Sequence, residues 1–206
     1  MNEPILHFFN KYNFDSSLIN KVITGDCFTA VELKNGRIGL CSNTSHKVDT
    51  AKIDLEKLQP KTIEQRIILN AYYNAVFNYQ QEYTLKKDVF DFVDFSQYKN
   101  IVMIGFFEST YNKFVNAGLK VSVFDIDKTD PALVPLSHEM DFVRKADAIL
   151  MTATTIANNT FSNLVLNTKE GCDIFLTGPS SIMHPDMFAY KNIKAILGSV
   201  FNDHDQ

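Results

Sequence analysis

Four short stretches hold most of the side chains that could bind a small molecule. They are residues 105–110 (GFFEST), 125–130 (DIDKTD), 152–160 (TATTIANNT) and 178–183 (GPSSIM). Hydroxyls, amides and backbone N–H groups dominate them, which suits hydrogen bonding to a polar ligand or to an anionic group at a helix N-terminus. Charge narrows the choice. The four stretches carry Glu108, Asp125, Asp127 and Asp130 against one basic residue, Lys128, so a di- or triphosphate would find little compensating charge. A neutral, cationic or metal-associated ligand fits better. No Ser-His-Asp order and no HExxH spacing is present. His7, His46, His138, His184 and His204 are scattered, and His184, the one near a candidate stretch, reads as an exposed loop residue before Pro185. Taken singly, Thr160 also reads as a helix N-cap and Gly178-Pro179-Ser180 as a turn.

A second chemical feature lies earlier in the chain. A helix expected over residues 62–80 places Asn70, Asn74 and Asn78 in one row, with Ile63, Ile67 and Ala71 beside it and Leu69, Tyr72, Tyr73 and Val76 on the opposite arc. Asn is a mediocre residue inside a helix because its side chain competes for backbone bonds. Three at this spacing read either as a solvated face or as a row of amides turned toward a cleft.

The elements that must position these groups follow from apolar patterning. Residues 100–127 read as a βαβ unit. Ile101, Val102, Met103 and Ile104 form an apolar strand suited to a parallel sheet covered on both faces. Tyr111, Phe114 and Val115 give helical spacing that Gly118 stops, and Val121, Val123 and Phe124 form the next strand. Asp125 and Asp127 stand where a ribose-binding acid follows a dinucleotide-binding turn, yet the turn holds a single glycine, Gly105, followed by Phe106 and Phe107. Further strands are expected near residues 148–151, 174–177 and 195–200, with helices between them, which is the pattern of an open, mostly parallel α/β sheet. In such sheets ligands sit beyond the carboxyl ends of the strands, where the four polar stretches fall.

Upstream the pattern differs. Ile5, Phe8 and Phe9 have helical spacing. Thr29, Val31 and Leu33 alternate on one strand and Ile38 and Leu40 on the next, and Asn35-Gly36 between them predicts a type I′ hairpin turn. Residues 42–61 read as loop with a short helical piece. The charged, aromatic run from Tyr83 to Tyr98 keeps neither period and marks a domain boundary, giving domains of residues 1–96 and 97–206. A length of 206 residues with 45% hydrophobic content supports a sizeable core. A net charge of −4 and a pI near 5.7, without a basic stripe, argue against nucleic acid as a partner. The N-terminal residues lack the features of a signal peptide and nothing suggests membrane binding, so a cytoplasmic location is expected. Cys27, Cys41 and Cys172 have neither CxxC spacing nor an even count and read as small buried hydrophobes.

With these stretches in hand, the chain resembles the heavy-metal chelation family, in which a Rossmann-like domain follows a small α+β domain similar to the N-terminal domain of enolase. The residues that carry the resemblance are MIGFFES (103–109), Asp125 and Asp127, ADAILMTATTIANNT (146–160) and FLTGPSSIMHPDMF (175–188). TGDCFTAVELKNGRIGLC and NAYYNAVFN match the accompanying domain more loosely. The chain departs from the family pattern at Ala153 and Asn159, where glycine is expected, and after Gly105, where proline is expected; relatives continue where this chain stops soon after Val200. The resemblance implies an α/β fold and a site between the two domains. Asn74 and Asn78 would lie on one side, with Gly105, Phe106, Phe107, Asp125, Asp127, Thr154, Thr155, Asn158, Thr160, Gly178, Pro179 and Ser180 on the other.

Three functions are compatible with this reading: a small-molecule-binding protein or enzyme linked to heavy-metal chelation or chelator metabolism, an S-adenosylmethionine-dependent enzyme, and a non-catalytic interaction protein with a degenerate Rossmann-like site. The sequence specifies no catalytic residue, cofactor or metal ligand, and it leaves a homodimer open.

Overall fold

The structure, a computed structural model, describes residues 2–81 and 88–201. The start of the expected boundary run, Tyr83 to Lys87, and His204 lie outside the described residues. The first part opens with α1 (Pro4–Tyr12), a meander of β1 (Ile19–Thr24), β2 (Phe28–Leu33) and β3 (Ile38–Ser42), and α2 (Ile63–Phe77). Pro4 stands in the first turn of α1, where its missing N–H costs nothing, and the helix buries Ile5 and Phe8. A capping box starts α2, since the Thr62 side chain accepts from Gln65 N and the Gln65 side chain accepts from Thr62 N.

The β2–β3 hairpin forms, but its turn is not the expected type I′. Among its loop residues Gly36 alone has a positive φ, at 83°, while Gly36 N–H donates to Leu33 O and Leu33 N–H donates to Arg37 O. This is a three-residue loop closed by a left-handed glycine, a geometry that leaves Asn35 in ordinary backbone space. The longer loop also sets the phase of β3. Val31 pairs with Gly39 and Thr29 with Cys41, so Gly39 and Cys41 face the core, and Ile38 and Leu40 are only half-buried. Gly39 lets α2 lie directly on the strand, because an added Cβ would stand 2.0 Å from Ala71 O and 2.4 Å from Ala75 N.

The second part is a parallel sheet of β4 (Ile101–Ile104), β5 (Val121–Phe124), β6 (Ala148–Thr152), β7 (Asp173–Thr177) and β8 (Ile193–Leu197), in the order β5-β4-β6-β7-β8. Its helices are α3 (Glu108–Asn116), α4 (Glu139–Val143), α5 (Thr154–Ala157) and α6 (Phe161–Leu166). Every residue of β4 is buried because both faces are covered. Ile101, Met103, Leu150 and Phe175 meet Phe114 of α3 and the segment carrying Val89 and Phe95. Val102, Ile104, Ile149 and Leu176 share the opposite core with α6 and with Phe8, Ile67 and Tyr73 of the first part. The larger core is therefore continuous across the two parts.

Three local expectations are corrected. Val115 is 52% exposed, because α3 aims Phe114 at the sheet and turns its neighbour outward. The last crossover, between β7 and β8, holds only a short 3₁₀ helix (Pro185–Ala189). Cys41 and Cys172 are buried, whereas Cys27 is exposed in the turn before β2. No described helix is long and apolar enough to cross a membrane.

Candidate functional site

The strand order reverses between β4 and β6, which run out from the centre toward opposite edges of the sheet. Loops there diverge and leave a crevice beyond the carboxyl ends. A cavity of about 320 Å³ fills this crevice, within the range of small-molecule sites. Gly105, Phe106 and Phe107 line it after β4, Asp125 and Asp127 after β5, and Thr154, Thr155, Asn158 and Thr160 after β6. Gly178, Pro179 and Ser180 line it after β7, and the first part contributes Phe28 from β2, Ser42 from β3 and Thr44 from the turn that follows β3. Gly105 turns at φ 85°, and an added Cβ would lie 2.7 Å from Thr152 Cγ2, so the glycine answers to both conformation and close packing.

Asn74 and Asn78 are not on the cavity lining. The Asn row is buried and faces the Gly178 loop directly, with no gap between them. Asn74 Nδ2 donates to Pro179 O at 3.0 Å and Asn70 Nδ2 to Ser180 O at 2.9 Å. Asn78 Nδ2 donates to Ser181 O at 2.9 Å. Three consecutive carbonyls are thus each taken by one amide of the row. Asn74 also donates to Leu40 O at 2.7 Å, and Asn78 Oδ1 accepts from Met183 N at 2.7 Å. Ser42 N donates to Ser180 Oγ at 3.0 Å alongside. The row is a seam that fixes the cavity's floor against the first part, and the solvated-face alternative does not hold.

The seam is reinforced at a distance. Asp186 accepts from His7 and Lys11 at 2.7 Å and from Tyr12 at 3.0 Å, tying α1 to the last crossover. Burial pushes the Asp186 carboxyl up, but the hydrogen bonds from Lys11, His7 and Tyr12 outweigh it and hold the group well below the usual carboxylate range. His184 is not an exposed loop residue. Its side chain is 12% exposed, it packs against Phe8, Tyr12 and Phe77, and Nδ1 accepts from Asp186 N. Burial lowers its pKa. Thr160 precedes α6 without capping it, for its hydroxyl donates to Asn158 Oδ1; Glu3, from ahead of α1, accepts from Ser162 N instead.

Within the cavity, Asp125 organises two loops. Its Oδ2 accepts from Phe106 N at 2.7 Å, and its Oδ1 accepts from Asp127 N at 2.8 Å and Lys128 N at 2.9 Å. A carboxylate offers about four acceptor positions, so one remains for a ligand. Lys128 Nζ donates to Phe106 O at 2.6 Å and lies over that ring. Thr155 Oγ1 donates to Thr152 O at 2.7 Å. Asn159, where glycine was expected, holds φ 63°; Asn tolerates the left-handed region better than most residues. Ala153 is in ordinary helical space and needs no glycine. Sequence reasoning missed Phe28, Ser42, Thr44 and Glu139, which also line the cavity. Neighbouring a hairpin or a short helix, they carry no motif.

A parallel α/β sheet whose switch-point crevice is closed by a small antiparallel meander defines a two-part Rossmann-like protein. The chain belongs to the DUF364 family, described as "Putative heavy-metal chelation", whose model matches residues 88–206. Two solved structures share the fold. A DUF364 protein of unknown function from Pyrococcus horikoshii is 22% identical with a TM-score of 0.71, over 82% of this chain and 76% of that one. Another DUF364 protein of unknown function, from Desulfitobacterium hafniense, is 16% identical with a TM-score of 0.71, over 90% of this chain and 82% of that one. No curated protein matches the chain.

The family description raises the question of a metal. Among the described residues no three His, Cys, Asp or Glu side chains group so as to hold one. Asp125 is largely engaged by backbone donors, and burial pushes the Cys41 thiol up to about 12, far from the thiolate a soft metal needs. The donor set does not fit direct ligation of a heavy-metal ion.

Proposed function

We propose that this protein binds a small organic molecule, neutral or cationic, in the cavity between its two parts. The link to heavy-metal chelation runs through a chelator or its metal complex, with the metal's own ligands supplied by that molecule. One observation carries the reading: a cavity at the switch point of the sheet is lined by four loops of the second part and by Phe28, Ser42 and Thr44 of the first. Three carboxylates, Asp125, Asp127 and Glu139, face one ammonium, Lys128, which disfavours nucleotide triphosphates. Twelve of the residues expected from sequence, from Gly105 to Ser180, are the proposed contacts; Asn74 and Asn78 support them from beneath. No feature favours S-adenosylmethionine, since Asp125, with three of its acceptor positions taken by backbone N–H groups, has one left and so cannot accept from both hydroxyls of a ribose.

The test is thermal denaturation and native mass spectrometry of the purified protein against metal salts, adenosine cofactors, chelators and their metal complexes. A true ligand at 100-fold its Kd adds about 2.7 kcal/mol, several degrees in Tm for a chain of this size. Stabilisation by an organic molecule or complex is expected. Stabilisation by bare metal ions alone, or by ATP at micromolar affinity, would overturn the proposal.

A further inference from the structure

The polar lining of the cavity divides into groups the protein itself engages and groups it leaves open. Asp125, Lys128, Thr155 and Ser180 all have partners within the chain. Two others do not. Thr44 Oγ1 is buried without a hydrogen-bond partner. The Glu139 carboxylate, at the start of α4, has no hydrogen bond or ion pair among the described residues; burial raises its pKa.

Thr44 is held there against its own backbone preference. It sits at φ 45°, followed by Ser45 at φ 60°, and a β-branched residue in the left-handed region is strained. Buried Asn43 fixes the segment, accepting from Thr29 Oγ1 at 2.7 Å and donating to Gly25 O at 2.7 Å, while its N–H reaches Cys27 O at 2.8 Å. Such strain persists only where the surroundings over-determine the conformation, and it clusters at binding sites. The rings of Phe28, Phe106 and Phe107 line the same cavity. Aromatic faces attract cations, and a desolvated carboxylate without a partner gains most from a charged N–H donor.

We propose, building on the cavity reading above, that Glu139 and Thr44 are its ligand-reading pair and that the ligand is an organic cation, an amidinium, guanidinium or protonated amine. Its N–H groups donate to the Glu139 carboxylate and to Thr44 Oγ1, and its apolar body lies against the phenylalanines. The test is isothermal titration calorimetry with three probes of one shape and different charge: benzamidine, benzamide and benzoate. The wild-type protein should bind benzamidine at least about tenfold more tightly than benzamide and benzoate least of all. Glu139→Gln should abolish the preference for benzamidine over benzamide. Thr44→Val should weaken benzamidine several-fold with Tm unchanged or raised, since it removes an unpartnered buried hydroxyl. Benzamide binding as tightly as benzamidine, or the preference surviving in Glu139→Gln, overturns the inference while leaving the cavity reading standing. No measurable binding of benzamidine overturns it as well, and the wider ligand panel then judges the cavity reading on its own.

Discussion

Asn78 offers the sharpest test of how the two parts are joined. The residue is fully buried; its amide nitrogen donates to Ser181 O at 2.9 Å and Ser199 O at 3.3 Å, and its oxygen accepts from Met183 N at 2.7 Å. Asn78→Ala removes all three bonds. Leaving a buried group without its partner costs about 1–3 kcal/mol, so the two short bonds together with the weaker third give a loss of about 3 kcal/mol. In a chain of this size that lowers Tm by about 6–12 °C. Asn78→Asp should be worse at neutral pH. It keeps an acceptor for Met183 N–H but sets an anionic oxygen against the carbonyls of Ser181 and Ser199, an opposition that acidification relieves. Differential scanning calorimetry of both variants from pH 4 to 8 measures this. If both melted within about 1 °C of wild type, the seam would contribute nothing to stability and the reasoning would be refuted.

Other consequences follow from the same geometry. Gly39→Ala should cost about 3 kcal/mol or more, because its Cβ meets backbone atoms of α2 that cannot rotate away; a near-native urea midpoint would contradict the close packing. Asp125→Ala should cost about 1–3 kcal/mol by stripping Phe106 N–H of its acceptor, and chemical denaturation would show it. A purely ligand-binding acid would leave stability unchanged. Asp186, with its folded pKa depressed, contributes stability that is present above its unfolded value of 3.8 and is lost as pH falls below it. The protection of α1 amides against hydrogen exchange, taken relative to the intrinsic rate at each pH, should therefore fall below pH 4 in the wild type, and in Asp186→Asn already at neutral pH. Glu139 has the opposite sign: its raised pKa means ionisation opposes folding, so Glu139→Gln should raise Tm at neutral pH, with the difference vanishing below the unfolded value of 4.5.

The parallel sheet was legible because its signals are local. Continuous apolar runs such as residues 101–104 and 148–151, short and alternating with helical patterns, suit strands covered on both faces, and the polar residues that follow them then emerge at the carboxyl edge. The spacing of Asn70, Asn74 and Asn78 on one helical row was equally plain. What they face was not, because an amide row serves a ligand edge and a run of backbone carbonyls alike. The phase of β3 was hidden by a glycine: Gly39 faces the core through the approach of α2, a contact that no hydropathy pattern records. His184 was misjudged for a related reason, since its cover comes from Phe8 and Tyr12, more than 170 positions earlier. Thr44 and Glu139 reach the cavity by tertiary placement alone.

The central claim is that the cavity at the β4–β6 switch point is where this protein meets its ligand, and crystallographic soaking with a library of small polar fragments tests it most directly. Bound fragments should concentrate among Gly105, Thr154, Ser180, Thr44 and Glu139, with cationic fragments over-represented. Fragments that left this cavity empty and gathered elsewhere, for instance in the shallow depression between Phe90, Phe95 and Leu119, would contradict the account.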